Sequence, residues 1–296
     1  MHDLQGFQTM QDAKLTIKVH ADHSTEIAIT ETVSVGGKSL FIVGGPCSVE
    51  GRAQMDSIAQ ALLDTPVQGI RGGVYKPRTS PYKFQGLGDR GLEILADVRR
   101  RYGMPVVSEV MAIHQIETLV ESVDVLQVGS RNMQNFDLLK ALGKVQKPIL
   151  LKRGLAATLE EFVMAAEYVT SHGNPNVILC ERGIRSFDSY TRNVLDVGAV
   201  VALKQITHLP VMVDPSHAAG RRDLVPGLAK AAIAAGADGL IIECHPVPDE
   251  SVSDAAQALS LETMVDLVDA LRPIAAAVGR KMPLVEKSMT PYQLCA

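Results

Sequence analysis

A chain of 296 residues that is 46% hydrophobic and 21% charged carries enough apolar material for one large domain or two small ones, and too much for a disordered or fibrous protein. Its net charge of −4, from 29 Lys and Arg against 33 Asp and Glu, excludes a nucleic-acid-binding surface spread over the chain, and 4% aromatics without tryptophan exclude base- or sugar-stacking platforms. Four cysteines, Cys47, Cys180, Cys244 and Cys295, and no charged-then-apolar leader, are expected of a cytoplasmic protein with reduced thiols. The most apolar window, Leu224 to Ile242, is interrupted by Lys230 and Asp238 and cannot span a membrane.

The first dozen residues are polar and aperiodic, as in a loose terminus. Leu15, Ile17 and Val19, then Ile27 and Ile29, then Val33 and Val35 alternate with polar residues around the turn-prone Ala21-Asp22-His23-Ser24, which predicts a short β-hairpin. From Leu40 onward short runs rich in Val, Ile and Leu recur eight times: Leu40 to Val43, Gly69 to Tyr75, Pro105 to Val107, Val125 to Val128, Pro148 to Leu151, Val177 to Cys180, Pro210 to Val213 and Gly239 to Ile242. Amphipathic helical segments separate them. One is capped by Asp89 with Leu92, Leu95 and Val98 on a face, one runs through Leu159, Phe162, Val163 and Ala166, and one through Leu224, Leu228 and Ala231.

Runs that do not alternate imply strands buried on both faces, and strand-helix alternation implies a parallel sheet. Eight such units match an α/β fold of the (β/α)8 TIM-barrel class, with active-site residues at the C-terminal strand ends. The expected organisation is an N-terminal extension with the hairpin (1–38), a catalytic barrel (39–280) and a C-terminal tail (281–296). Gly86, Gly88 and Gly91 spell GxGxxG, but a Pro- and Lys-rich loop precedes them instead of a strand, so the match is read as chance.

All eight strand ends carry polar chemistry. Cys47 follows the first run; Arg71 lies in the second, followed by Lys76 and Arg78; Ser108 and Glu109 end the third; Arg131 follows the fourth; Lys152 and Arg153 the fifth; Glu181, Arg182 and Arg185 the sixth; Asp214, Ser216 and His217 the seventh; Glu243 and His245 the eighth. Arg71, Lys76, Arg78, Arg131, Lys152, Arg182 and Arg185 therefore converge on one concavity. Arg binds phosphate and carboxylate bidentately and Lys adds a mobile charge, so the site suits two anionic substrates or one with several anionic groups. Arg153 is the cation most readily spent on a salt bridge with an acid such as Glu181. Cys47, His217, Glu243 and Asp254 form a mixed thiolate, imidazole and carboxylate set, suited to a divalent Mn, Fe, Co or Zn ion acting as a Lewis acid. Cys180, Cys244 and Cys295 are given no role.

The strings GGPCSVE (44 to 50), IRGGVYKPRTSPYKFQGLG (70 to 88), LLKRG (150 to 154), CERGIRSF (180 to 187), VDPSHAAGRR (213 to 222) and IIECHP (241 to 246) resemble the type I 3-deoxy-D-arabino-heptulosonate 7-phosphate (DAHP) synthases of the β subgroup, from about Leu40 to Leu261. The resemblance implies a metal-dependent barrel that condenses phosphoenolpyruvate with erythrose 4-phosphate at the start of the shikimate pathway. It puts the metal ligands on Cys47, His217, Glu243 and Asp254, phosphoenolpyruvate on Arg71, Lys76, Arg131, Lys152 and Arg182, and the erythrose phosphate on Arg78, Thr79 and Arg185. The catalytic set is then Lys76, Glu109 and His217, with Lys76 protonating the developing alkoxide and Glu109 or a metal-bound water assisting water addition. One departure concerns Asp254: the family usually has Ser-Asp-Gly-Pro, whereas Ser253-Asp254-Ala255-Ala256 stands here.

Two alternatives belong to other readings of the same barrel. A 3-deoxy-D-manno-octulosonate 8-phosphate synthase would take arabinose 5-phosphate, but that family typically has Lys-Ala-Asn-Arg where this chain has Lys76-Pro77-Arg78-Thr79. A non-catalytic sugar-phosphate-binding barrel would be expected to have lost a catalytic position. A homodimer or homotetramer is expected, without nucleic-acid or membrane partners and without an appended regulatory domain before Leu40.

Overall fold

The computed structural model describes residues 10, 12–77 and 80–283. Eight strands, β3 (Phe41–Gly45), β4 (Gly69–Arg71), β5 (Val106–Val110), β6 (Val125–Val128), β7 (Ile149–Lys152), β8 (Val177–Glu181), β9 (Val211–Val213) and β10 (Gly239–Glu243), run parallel and close into a barrel. Each pairs with the next, and β10 closes onto β3 with Gly239 opposite Phe41 and Glu243 opposite Gly45. Every predicted apolar run overlaps one of these strands, several of which extend one to three residues further. Helices α1 (Arg52–Leu62), α2 (Asp89–Tyr102), α3 (Ile116–Ser122), α4 (Phe136–Leu142), α5 (Leu159–Thr170), α6 (Val197–Ile206), α7 (Pro215–Ala219) and α8 (Val225–Ala234) lie in the connections, and α9 (Leu261–Ala270) and α10 (Arg272–Ala277) follow β10.

The two-residue period of a strand divides the core into two layers. In β7, Ile149 and Leu151 join the layer against the helices while Leu150 joins the axial one; β8 divides Val177 and Leu179 from Ile178 and Cys180, and β9 divides Val211 and Val213 from Met212. Two residues further along five of the inward rows the side chain turns polar: Val107 leads to Glu109, Val125 to Gln127, Leu150 to Lys152, Met212 to Asp214 and Ile241 to Glu243. The axis therefore passes from an apolar floor to a charged mouth. Arg153 and Glu181 continue the outward rows, and they pair at 2.8 Å with Asp196 completing the cluster at 3.1 Å from Arg153.

The hairpin forms from the later part of the alternating stretch, Ile27 and Val35 included, but not around the predicted turn. Strands β1 (Ile27–Ala28) and β2 (Ser34–Val35) pair antiparallel around a turn near Thr30, where Ile29 and Thr30 N–H groups donate to the Val33 carbonyl, rather than around Ala21 to Ser24. Ile27, Ile29 and Val35 are buried in the axial cluster and seal the floor of the barrel. The Leu15 to Val19 stretch stays outside the hairpin. Ile17 bridges antiparallel to Thr207, and the Glu167 carboxylate on α5 accepts the N–H groups of Lys14, Leu15 and Thr16 together with the Thr16 hydroxyl.

Two helix starts also differ. Asp89 does not cap α2: Gly88 does, at φ 58°, and Asp89 is the first helical residue, accepting the Tyr75 hydroxyl at 2.8 Å. The glycines around it fold the loop back on its own strand end, since a Cβ on Gly86 would lie 2.0 Å from the Val74 carbonyl oxygen. In α8 the buried face is Val225, Ala229, Ala232 and Ile233, one step round from the predicted face, with Leu224 at the N-cap position. By contrast α5 starts as predicted from its apolar face and gains a capping box, Thr158 Oγ1 accepting from Glu161 N and Glu161 Oε2 from Thr158 N. No helix among the described residues is long and apolar enough to cross a membrane.

Candidate active site

The strand ends β3, β9 and β10 are neighbours around the barrel, so their first polar residues meet. One potential ligand atom from each of Cys47, His217, Glu243 and Asp254 lies within 4.8 Å of all the others. Cys47 Sγ donates to Asp254 Oδ2 at 3.0 Å, and His217 Nε2 stands 3.2 Å from Glu243 Oε1. Local sequence explains His217: Asp214 caps α7, Pro215 follows at its first position, and the His217 N–H donates to Asp214 Oδ1 at 2.9 Å. The side chain then returns to the same carboxylate, Nδ1 standing 2.7 Å from Asp214 Oδ2. That bond puts the ring proton on Nδ1 and leaves the Nε2 lone pair free.

The burial, protonation and donor chemistry of these residues fit a metal ion. Glu243 Oε1 is buried without a hydrogen-bond partner, although Arg71 Nη1 stands 3.2 Å away as an ion-pair partner. Burial lowers the His217 pKa below its ordinary value against the opposing pull of Asp214 and Glu243, so the imidazole is neutral at pH 7. Burial first, then the Glu243 charge, push the Cys47 thiol up to about 12, so without a cation it holds its proton; a divalent ion would displace it. Burial would raise Asp254, but the Cys47 thiol, His217 and Arg192 outweigh it and hold the carboxyl below the ordinary range. A sulfur, an imidazole nitrogen and two carboxylates form the donor set of a borderline divalent transition metal.

Beside this cluster lies a cavity of about 310 Å³ lined by Arg71, Lys76, Glu109, Arg131, Lys152, Arg182 and Arg185. Lys76 is buried, its Nζ 2.9 Å from Cys47 Sγ and 3.0 Å from the Cys47 carbonyl oxygen. Lys152 is paired with Asp214 Oδ2 at 2.5 Å, so one oxygen of Asp214 serves both Lys152 and the His217 ring. Burial would raise the Asp214 pKa, yet His217 and Lys152 hold it well below the carboxylate range.

A family model described as the DAHP synthetase I family matches residues 17–276. The chain belongs to the DAHP synthetase I family. A phospho-2-dehydro-3-deoxyheptonate aldolase of Thermotoga maritima is 49% identical to this member over 250 residues, 84% of this chain and 74% of the relative. The crystal structure of a DAHP synthase from Thermotoga maritima superposes with a TM-score of 0.86 at 46% identity, over 90% of this chain and 78% of that one. A 2-dehydro-3-deoxyphosphooctonate aldolase of Syntrophotalea carbinolica is more distant, 31% identical over 85% of this chain and 96% of its own.

In this DAHP synthetase I barrel the residues expected at the site therefore fall into three groups. Cys47, His217, Glu243 and Asp254 come together; Arg71, Lys76, Glu109, Arg131, Lys152, Arg182 and Arg185 line the adjoining cavity, Arg185 exposed at its rim. Arg78 and Thr79 lie outside the described residues, as do Cys295 and the end of the tail. Sequence inspection missed Gln127, Arg192 and Asn193, which also line the cavity, and Gln257, which bonds to Glu243. Asn193 Nδ2 donates to the His217 carbonyl at 3.1 Å. Gln127 alone carried a signal, since it occupies the inward row two residues beyond Val125.

Proposed function

We propose that this chain condenses phosphoenolpyruvate with erythrose 4-phosphate to 3-deoxy-D-arabino-heptulosonate 7-phosphate and inorganic phosphate, the opening reaction of the shikimate pathway. The observation that carries this function is the junction of a Cys-His-Glu-Asp cluster with a cation-lined cavity in a family member. Arg71, Lys76, Arg131, Lys152 and Arg182 hold the phosphate and carboxylate of phosphoenolpyruvate, while Arg185, with Arg78 and Thr79, holds the erythrose phosphate nearer the rim. Cys47, His217, Glu243 and Asp254 hold a divalent ion, Mn, Fe, Co or Zn, which when bound supplies Lewis-acid polarisation of the aldehyde.

The remaining chemistry is assigned to the side chains. The cations fix carbon 3 of phosphoenolpyruvate against the aldehyde carbon, so that forming the new carbon-carbon bond costs little further entropy. Lys76, buried beside Cys47, delivers a proton to the alkoxide oxygen as it forms. Carbon 2 becomes cationic and takes up water, whose proton passes to Glu109, another residue lining the cavity. In the resulting hemiketal phosphate the bond from carbon 2 to the phosphate oxygen breaks, the carbon 2 hydroxyl gives its proton to the departing phosphate and becomes the ketone, and inorganic phosphate is released. The protein acts in the cytoplasm as a homodimer or homotetramer, with residues 39–280 as its catalytic unit.

The test is phosphate release from phosphoenolpyruvate in the presence of each aldose phosphate. Turnover with erythrose 4-phosphate, abolished by chelator and restored by Mn, is expected; preference for arabinose 5-phosphate would assign the chain to the octulosonate reaction instead. Tight binding of both substrates without turnover in metal-loaded protein would make it a sugar-phosphate sensor. Lys76→Ala is expected to lower kcat far more than it raises KM, and an equal loss of both would remove its role as proton donor.

A further inference from the structure

Each carboxylate of the metal cluster has two oxygens, and something outside the cluster must decide which of them faces the ion. Gln257 is buried at the end of a short helical turn, Ala255–Gln257, and its Nε2 donates to Glu243 Oε2 at 2.7 Å. Its Oε1 accepts from Arg192 Nη1 at 3.1 Å. A guanidinium has donors only, so Arg192 fixes the amide orientation: Oε1 must face Arg192 and Nε2 must face Glu243. The same Nη1 also donates to Asp254 Oδ1 at 3.1 Å. The outer oxygen of both carboxylates is thereby occupied, leaving Glu243 Oε1 beside His217 and Asp254 Oδ2 beside Cys47.

Asp254 needs such a hold. It is the one non-glycine residue with positive φ among the described residues, at 56°, in a left-handed conformation that costs an aspartate free energy unless its surroundings impose it. Arg222 fixes the backbone just beyond it, its N–H donating to the Ala256 carbonyl and its Nη2 to the Ala255 carbonyl. Charge points the same way. A thiolate and two carboxylates around a divalent ion leave an excess negative charge, and Arg192 brings a cation to its outer side.

We propose that Gln257 and Arg192 are positioning residues for the metal centre, a strap that selects the ligating oxygen of Glu243 and of Asp254. The strap rests on the metal assignment proposed above. It joins the loop before α6 to the segment after β10, so that neither carboxylate can rotate without breaking a bond to Arg192 or to the amide it orients.

The test uses Co(II) titrated into the metal-stripped protein, read by thiolate-to-cobalt charge transfer in the near ultraviolet and by ligand-field bands in the visible. Arg192→Met and Gln257→Leu are each expected to weaken cobalt binding about 10- to 100-fold and to shift the visible bands, as loss of a residue that orients ligands does. The double variant is expected to lose little more than the worse single, because the two act as one unit. Melting of the metal-free proteins separates positioning from folding. Should Gln257→Leu fail to fold, Arg192→Met still decides, since the Arg192 side chain is 41% exposed. Unchanged affinity and spectrum in the variants, beside normal cobalt binding by the unmodified protein, would overturn the strap alone. Absence of the charge-transfer band from the unmodified protein would overturn the metal assignment and the strap with it.

Discussion

Cys47 and His217 enter the metal cluster in different protonation states, and the difference is measurable. His217 is already neutral at pH 7, whereas Cys47, held near 12 by burial and by Glu243, carries a proton that a metal must expel. Metal binding is therefore expected to release about one proton per site and to tighten as pH rises; calorimetry in buffers of different ionisation enthalpy measures it. Cys47→Ser should lower affinity sharply, because a hydroxyl resists ionisation more strongly than a thiol. Asp214→Asn removes the carboxylate oxygen shared by Lys152 and His217. It is expected to cost about 10- to 100-fold in metal affinity, seen in the same titration, by disturbing the His217 tautomer. At this scale Cys47, His217 and Glu243 were legible because they stand at or shortly after strand ends, whereas Asp254 lies well beyond the end of β10. Arg192 was not legible, since its partners Asp254 and Gln257 are 62 and 65 residues away and no pattern links them.

Strands and helices follow patterns of different strength. The eight barrel strands announce themselves because burial on both faces demands unbroken apolar runs. The hairpin is weaker: alternation in Leu15, Ile17 and Val19 marks an extended chain but does not name its partner, which proves to be the chain at Thr207, where α6 ends. Glu167 binds that chain through side-chain to backbone bonds, which leave no trace in hydrophobic periodicity. Glu167→Ala is expected to speed hydrogen exchange at Lys14, Leu15 and Thr16 while the barrel strands remain protected; mass-resolved exchange reads both. Thr158→Ala, which removes one half of the α5 capping box, is expected to cost about 1 kcal/mol in chemical denaturation.

For the whole molecule, a net charge of −4 coexists with a strongly cationic cavity, because acids such as Asp97, Asp223 and Asp249 occupy the outer surface while the inward rows end in Arg and Lys. Composition could exclude a polyanionic macromolecule, and only the order of residues along each strand could disclose a site for small anions. Removing buried methylene groups from the floor tests how far the hairpin belongs to the barrel. Ile27→Ala is expected to destabilise the protein by about 2 to 5 kcal/mol, a range that applies to a fully packed core side chain; a loss under about 1 kcal/mol in denaturant titration would mean the hairpin merely rests on the floor.

The sealed floor also bears on traffic. With Ile27, Ile29 and Val35 filling one end of the axis, the described residues make the reaction chamber a well closed at its floor and open at the charged mouth. Arg71 and Lys152 stand deep in it and Arg185 at the threshold. A molecule seated at the bottom must enter before one seated at the top and cannot leave past it, so the two substrates form a queue. Phosphoenolpyruvate is expected to bind first, and erythrose 4-phosphate should trap it; isotope trapping of bound phosphoenolpyruvate measures that order, and free escape at saturating aldose would show a second exit.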